Sequence, residues 1–359
     1  WGYLMAWTSP RTWVSGETVT ASLANTHWRD NFNYLYDNRY GVGRRNAIIN
    51  SHMDVWQRGT SFALSSSTKT YTADRWACYR AATGCTVSRQ TGPTGQPYAM
   101  RVQRDSGNTS TTAITAYHAL ESLDSYKFAG QTAYLKLTMK AGANFSAASS
   151  SVTVKVTYGT GTDQSPEASW TGTTDALSTS QVITTTSTSY DFDSISIPSS
   201  ATQVKVSVSF TPVGTASTND WVEISAAQLS VNPAPTYERL PYSETLRLCQ
   251  RYYYQYGPFG GSRYTSVGWC YSSTVLYAIF RFPVSMRTSP TVTFSAANDF
   301  TATNSTAAYN STGMAGGHVT PDQCLITCTV ASGLTATQAA MFSNDQDTTN
   351  AAIYVDAEL

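Results

Sequence analysis

Two stretches of alternating sequence decide the fold of this chain: VTVKVTY at 152–158 and VKVSVSF at 204–210. Apolar and polar side chains alternate with a period of two, the pattern of a β-strand with one buried and one solvent-facing side. YLKLTM at 134–139 repeats it, and Gly, Pro, Ser and Thr separate the runs. Many short strands without long helices between them predict an antiparallel β-sandwich, a jelly roll, over residues 46–235.

Residues 1–45 differ from this β sequence. Trp28, Phe32 and Leu35 recur at the spacing of one helical face, and Thr20 is a suitable N-cap. We therefore predict an N-terminal arm and helix whose apolar stripe is too small to form a core of its own. Such a stripe is suited to contact a partner or a three-fold bundle. The residues expected at this attachment or oligomer interface are Trp7, Trp13, Trp28, Phe32 and Leu35.

After the sandwich, VNPAP at 231–235 reads as a linker, because two prolines in three residues do not continue a sheet. SETLRLCQRYYY at 243–254 predicts a short helix that runs into an aromatic strand. Further alternating runs, including CLITCTV at 324–330, complete a second β domain over 236–359. The expected fold class is mostly β, with an arm and helix, a jelly roll and a C-terminal β domain.

Charge excludes several functions. The 359 residues carry 23 basic and 23 acidic side chains, a net charge of zero, and only 13% are charged. A nucleic-acid binder or a membrane-surface protein needs an excess of Lys and Arg, so neither is expected. No apolar run of transmembrane length occurs, and the opening residues lack the pattern of a signal peptide, so no membrane insertion is expected.

The six cysteines leave two interpretations open. If a tight hairpin through 81–82 joined Cys78 to Cys85, the two could form a disulfide, and two free buried thiols are the alternative that we favour. Cys324 and Cys328 share one strand face but are about 13 Å apart along it, too far to pair with each other.

Catalytic and metal-binding patterns are weak. The four histidines are scattered, which argues against zinc. Glycan hydrolysis needs two carboxylates about 5 to 10 Å apart. Such pairs also occur in ordinary surface turns, and calcium binding is another reading of them. The candidate pairs are Asp191 with Asp193, Asp220 with Glu223, and Asp345 with Asp347.

Aromatic side chains are concentrated between 252 and 271. Exposed Trp and Tyr rings beside Ser and Asn can stack on the apolar faces of sugars, while the hydroxyl groups meet polar neighbours. The competing interpretation places these rings in the core or in a subunit interface. The glycan-binding candidates are Tyr264, Trp269, Tyr271 and Tyr309.

Three motifs resemble the jelly-roll module of tailed-bacteriophage tail fibres and related virion proteins: NAIINSHMDVWQRGTSF at 46–62, YTADRW at 71–76 and WVEISAAQL at 221–229. YERLPYSETLRLCQRYY at 237–253 is similar to the segment that follows that module. FPVSMRTSPTV at 282–292 and DAEL at 356–359 resemble a phage C-terminal β domain. Residues 5–37 are similar to N-terminal segments of phage structural proteins, and Met5 is then the expected start.

The resemblance implies a virion protein, assembled in the bacterial host cytoplasm, with other virion proteins as partners and a homotrimeric state. It implies a tail fibre or receptor-binding protein that recognises bacterial surface polysaccharide without catalysis. A capsid decoration or head fibre protein and a polysaccharide depolymerase are the alternatives. No cofactor is expected apart from a structural calcium at Asn50 and Glu223. The family often has Asn-Gly where this chain has Asn50-Ser51, which weakens that calcium site.

Overall fold

The computed structural model describes residues 8–9, 11–32, 45–231, 237–259, 263–305, 307–345 and 350–359. The chain divides into two units, Trp1–Asn46 and Ala47–Leu359. Residues 232–235 of the predicted linker and the predicted interface residues Trp7 and Leu35 lie outside the described residues.

The N-terminal unit contains the predicted helix. Helix α1 (Ala21–Ala24) is capped by Thr20, whose side-chain oxygen accepts a hydrogen bond from Leu23 N at 3.3 Å. It continues into a π-helical turn, Asn25–Arg29, so the predicted N-cap is confirmed and the predicted regular helix is partly replaced by a wider turn. The ring centroids of Trp13 and Trp28 are 5.9 Å apart.

The larger unit begins with two six-stranded antiparallel sheets, which confirms the predicted sandwich. In spatial order, sheet 1 contains β1 (Ser61–Ala63), β4 (Cys85–Thr91), β5 (Tyr98–Arg104), β12 (Trp221–Ser230), β7 (Thr132–Ala141) and β10 (Thr188–Ser196). Sheet 2 contains β2 (Thr70–Tyr71), β3 (Ala77–Arg80), β6 (Ile114–Ala119), β11 (Gln203–Phe210), β8 (Ser151–Gly159) and β9 (Thr174–Val182).

The sandwich core follows the alternation in the sequence. Val152, Val154 and Val156 of β8 are buried, and β8 pairs with β11 in antiparallel register. The polar position Lys205 of β11 is also buried, because its Nζ donates to Pro166 O at 2.8 Å and lies 4.4 Å from the Trp170 ring. A loop therefore covers part of a face that alternation alone predicts to be solvent-facing.

The sandwich differs from the sequence prediction at two places. Short helical segments, α2 (Ser122–Ser125) and a 3₁₀ turn at Tyr126–Phe128, interrupt the strands. The hairpin on which a Cys78–Cys85 disulfide would depend is not formed, because β3 and β4 belong to different sheets, and the favoured alternative of two free buried thiols is confirmed. The buried Arg80 guanidinium donates to Thr83 O and Gly84 O and stabilises this crossing. All six cysteines are free and buried.

The C-terminal β module begins with helix α3 (Tyr242–Gln250), as predicted, which leads into the aromatic strand β13 (Tyr253–Phe259). A three-stranded sheet has β13, β21 (Ala351–Asp356) and β16 (Thr291–Phe294) in that order. A closed barrel contains β14 (Tyr264–Cys270), β15 (Val275–Arg281), β19 (Gln323–Val330), β18 (Ala308–Gly317), β17 (Phe300–Thr303) and β20 (Ala339–Asn344). None of the described helices is long and apolar enough to cross a membrane.

Candidate functional site

Three aromatic rings lie together on the outer side of the barrel, and we call Trp269, Tyr271 and Tyr277 the aromatic platform. Trp269 is directly opposite Tyr277 in the β14–β15 ladder, and their ring centroids are 5.7 Å apart. The Tyr271 and Tyr277 centroids are 4.9 Å apart with an interplanar angle of 31°. Trp269 is 42% and Tyr271 is 64% exposed, so their rings are accessible to a ligand.

Gly268 allows these two strands to approach each other. A Cβ atom at this position would overlap the carbonyl oxygen of Tyr277. The next ladder pair is Cys270 with Leu276, and both side chains are fully buried in the barrel. Because side chains alternate along a strand, the buried pair fixes the neighbouring aromatic pair on the outer face.

Apolar side chains lie next to the platform on the outer barrel face. Val267, two residues before Trp269, is 71% exposed, and Ile279, two residues after Tyr277, is 44% exposed. Tyr264 is also exposed, at the start of β14. The platform and these neighbours carry no charged side chain, so a neutral ligand or a protein surface suits this face better than an ionic ligand.

The structure brings together some of the predicted glycan-binding residues. Trp269 and Tyr271 meet through Tyr277, and Tyr264 lies on the same strand as Trp269. Tyr309 is placed apart from them: it is half-buried, lies opposite the buried Ala302 and packs against the core of the C-terminal module. The glycan-binding role of each residue stays a prediction.

A concave surface lies on the outer side of sheet 1, and we call it the sheet groove. It has a volume of about 320 Å³. Its walls are the end of β4 with the loop that follows it, and the loop that precedes β10. The residues that line the groove are Thr91, Gly92, Pro93, Lys140, Thr185, Thr186, Ser187, Glu223 and Ser225.

Three charged side chains form a row across the strands at this groove. Glu223 of β12 lies opposite Arg101 of β5 on one side and Lys140 of β7 on the other. Arg101 donates from Nε and Nη2 to Glu223 Oε1 at 2.8 and 2.5 Å, whereas Lys140 Nζ is 4.0 Å from Glu223 Oε2. The guanidinium of Arg101 also lies 4.0 Å from the ring centroid of Trp221.

These residues do not fit the calcium site that the resemblance implies. Asn50 Oδ1 accepts from Val55 N at 2.9 Å, and Asn50 Nδ2 donates to Val55 O and to Asp74 O. Glu223 is paired with two cations, which would repel a third. Among the described residues, no group of three His, Cys, Asp or Glu is arranged to hold a metal ion.

The carboxylates of the predicted catalytic pairs differ in burial. Asp220 is fully buried and accepts from Arg104 Nη1 at 2.8 Å, so it belongs to the structural core. Asp191 and Asp193 are exposed on β10, and Asp191 is 2.9 Å from Lys136 Nζ. Asp347 lies outside the described residues.

A segment that follows the predicted linker covers another part of sheet 1. The hydroxyl of Tyr237 accepts a hydrogen bond from Thr138 Oγ1 at 3.0 Å, and burial raises the pKa of Tyr237 to about 12. Its ring centroid is 5.8 Å from that of His52. Burial, followed by the positive charge of Arg239, lowers the pKa of His52 to about 4.

The described interface candidates of the N-terminal unit differ in exposure. Trp28 is half exposed and Phe32 is more exposed still, whereas Trp13 is packed between rings and the Arg11 guanidinium, 4.8 Å from its centroid. The exposed side chains of Trp28, in the π-helical turn, and of Phe32, which follows it, are available for an intermolecular contact.

Sequence reasoning missed Tyr277 and the sheet groove. The alternation in β15 could have placed Tyr277 on the outer face, because it lies between Leu276 and Ala278, whose side chains point into the barrel. The groove depends on ladder partners that are 83 to 122 residues apart, such as Glu223 with Lys140 and with Arg101. No local pattern in the sequence indicates which strands become neighbours.

Comparison with known proteins gives a likeness of fold only. No protein-family model and no curated protein matches the chain. Solved structures similar to it include carbohydrate-binding modules with a β-sandwich fold. A CBM4 structure is 16% identical, with 52% of this chain and 99% of that chain covered and a TM-score of 0.34. TmCBM61, solved with β-1,4-galactotriose, is 10% identical, with 53% and 100% covered and a TM-score of 0.31.

A phage protein is also among the similar structures. It is the enzymatically active domain of tailspike protein 4 of bacteriophage CBA120, which is 10% identical to this chain. The match covers 44% of this chain and 19% of the tailspike chain, with a TM-score of 0.30. At this level of similarity the ligand has to be argued from the chain's own surface.

Proposed function

We propose that this protein is a non-catalytic glycan-binding component of a bacteriophage particle, a tail fibre or receptor-binding protein that recognises bacterial surface polysaccharide. The observation that carries the glycan-binding part is the aromatic platform. Accessible Trp and Tyr rings that a closed barrel holds in fixed positions stack on the apolar face of a sugar at little cost in side-chain entropy. The virion part rests on the sequence motifs at 46–62, 71–76 and 221–229.

The surroundings of the platform favour sugars over ionic ligands. Ser272 and Thr274, in the turn after Tyr271, carry hydroxyl groups 3.3 Å apart, which can meet sugar hydroxyls. The absence of charged side chains from the platform itself fits a neutral glycan.

Glycan binding is tested with the full chain on an array of bacterial surface polysaccharides. Removing Trp269 or Tyr271 (W269A, Y271A) should reduce binding strongly, because each variant deletes one stacking surface. Tyr126→Ala is the matched control, since Tyr126 is similarly exposed on the sandwich, away from the barrel. Equal binding by wild type, W269A and Y271A would contradict the proposal.

A structural role is the second candidate function, in a capsid decoration or head fibre protein. The exposed aliphatic side chains of Val267 and Ile279 favour it, because they offer no hydrogen bond to a sugar and are typical of protein contacts. Electron microscopy of particles carrying a labelled chain separates the two: a label at the tail tip supports receptor binding, and a label over the shell lattice supports decoration.

The proposal includes homotrimeric assembly and contacts with other virion proteins through the N-terminal unit. Phe32→Asp places a charge on the exposed stripe and should lower the mass measured by light scattering from that of a trimer to that of a monomer. Leu123→Asp is the control, because Leu123 is equally exposed in the sandwich. A monomeric wild-type chain would contradict this part.

Absence of catalysis is also part of the proposal. Asp191 is ion-paired with Lys136, and both Asp191 and Asp193 are exposed to solvent on β10. Purified protein should leave the viscosity of host capsular polysaccharide unchanged over hours. A fall in viscosity that Asp191→Asn and Asp193→Asn abolish would establish a depolymerase instead.

A further inference from the structure

We propose that the sheet groove is a second saccharide site, separate from the aromatic platform, and that it selects a neutral sugar with adjacent hydroxyl groups. The site lies on the sandwich, whereas the platform lies on the barrel. The proposal therefore does not depend on whether the platform binds glycans.

The groove offers both a hydrogen-bond acceptor and a donor at its floor. Glu223 Oε1 accepts two bonds from Arg101, whereas Oε2 makes no hydrogen bond to a described side chain and lies 4.0 Å from Lys140 Nζ. This separation is that of a loose ion pair and exceeds hydrogen-bond distance, so each group keeps hydrogen-bonding capacity for a ligand. A sugar hydroxyl can donate to Glu223 Oε2, and it or its neighbour can accept from Lys140 Nζ, because a hydroxyl is donor and acceptor at once.

Charge discriminates between neutral and acidic sugars here. A carboxylate has no hydrogen to donate to Glu223 Oε2 and is repelled by its charge, and the charge of Lys140, 4.0 Å away, is already partly balanced by Glu223. A neutral hydroxyl meets no such repulsion. Hydrogen bonds to charged groups are also stronger than those between neutral groups, so two adjacent hydroxyls would gain affinity from both ions.

Apart from Gly92 and Pro93, the remaining lining residues all carry hydroxyl side chains. Thr91, Thr185 and Ser187 make no side-chain hydrogen bond to another described residue, so their hydroxyls are available to a ligand. Ser225 is held by a bond from its Oγ to Thr138 O at 3.4 Å. This lining is polar, uncharged and small, which suits a polyhydroxylated ligand.

The floor is preorganised. The Arg101 guanidinium is held between Glu223 and the Trp221 ring, and Glu223 itself is buried. At the wall, a Cβ on Gly92 would overlap the carbonyl oxygens of Gln96 and Tyr98, so glycine permits the loop to close there. A rigid site loses little entropy when a ligand binds.

The experiment uses the full chain with W269A and Y271A together, so that only binding outside the platform remains. The probes are tetrasaccharides of glucose, xylose, mannose and galactose, with tetragalacturonate as the acidic probe, and binding is measured by calorimetry. At least one neutral tetrasaccharide should bind more tightly than tetragalacturonate. Lys140→Met, which keeps the aliphatic stem, should then weaken binding about tenfold or more, as expected for one hydrogen bond to a charged group.

Lys136→Met is the matched control, since Lys136 lies on the same strand but pairs with Asp191 outside the groove lining. It should leave the affinity unchanged. Absence of binding to every neutral probe, or equal affinities of the Lys140→Met and parent chains, would overturn the site. Stronger binding of tetragalacturonate that depends on Lys140 would overturn the selectivity. A wrong proposal for the platform would be recognised separately, because the single variant W269A would then bind the glycan array as well as wild type.

Discussion

The guanidinium of Arg58 lies 3.5 Å from the ring centroid of Tyr253, and this contact joins the sandwich to the first strand of the C-terminal β module. Tyr252, the residue before Tyr253, makes the same kind of contact with a second arginine: the guanidinium of Arg75 lies 3.6 Å from its ring centroid. Both guanidiniums also pair with Glu358. Two successive aromatic rings and one carboxylate thus hold two cations at the junction between the modules.

Glu358→Ala should destabilise the larger unit strongly. The Arg75 side chain is almost fully buried, and the substitution leaves its charge without its carboxylate partner. Breaking a buried ion pair in this way costs about 3 to 5 kcal/mol. We expect the midpoint of urea unfolding, followed by tryptophan fluorescence, to fall markedly. Glu244→Ala removes an exposed carboxylate from α3 and should change the free energy of unfolding by less than about 1 kcal/mol. Equal effects of the two substitutions would contradict a stabilising junction.

His52 should make stability depend on pH. Its pKa is lowered from 6.5 to about 4 in the folded protein, first by burial and then by Arg239. Between these values the unfolded chain binds a proton that the folded protein does not. The contribution of His52 is therefore fully present above pH 6.5 and is lost as the pH falls towards 4, by up to about 1.4 kcal/mol per pH unit.

Asp74 changes the free energy of unfolding in the opposite direction over the same pH range, so the contribution of His52 has to be measured as a difference between wild type and a variant. Burial raises its pKa to about 6, although Arg58 opposes this, so its contribution is present below about pH 4 and is lost as the pH rises to 6. The difference in unfolding free energy between wild type and His52→Gln isolates the histidine. That difference should shrink as the pH is lowered from 7 to 4. A pH-independent difference would contradict the prediction.

The cysteines should be unreactive in the folded protein. All six are buried, and burial raises the pKa of Cys324 and of Cys328 to about 11, so almost no thiolate is present at pH 8. A thiol reagent should label none of them within minutes in the native state and all six in denaturant. If only four react after unfolding, the alternative of a disulfide holds.

The sequence predicts the fold well where one physical rule decides it. The alternation around Val154 and Val206 specifies which side of each strand is buried, and the Thr20 side chain specifies where the first helix starts. The crossing between Cys78 and Cys85 was not predictable in this way. A short polar connection is compatible with a hairpin or with a change of sheet. The buried Arg80 that stabilises the crossing donates to backbone carbonyls, and because every residue has a carbonyl, the sequence does not indicate which ones it contacts.

The two candidate sites also differ in how far local sequence predicts them. Trp269 and Tyr271 are two residues apart, so local spacing alone places them on one face of a strand. Glu223 meets Arg101 and Lys140 only because β12 lies between β5 and β7. That strand order is a property of the complete sheet, and it converts a residue that resembled a calcium ligand into the centre of an ion-paired row.

Gly268→Ala should disrupt the aromatic platform without touching any of its rings. The new methyl group would overlap the Tyr277 carbonyl, so β14 and β15 must separate at the point where Trp269 faces Tyr277. Overpacking of this kind costs about 1 to 3 kcal/mol. We expect a lower free energy of unfolding, a changed Trp fluorescence spectrum and weaker glycan binding. Gly313→Ala is the control in the same barrel, because a Cβ there meets only ordinary contacts, at 3.7 Å from the Thr329 side chain. Wild-type binding by Gly268→Ala would show that the spacing of Trp269 and Tyr277 is unimportant for ligand recognition.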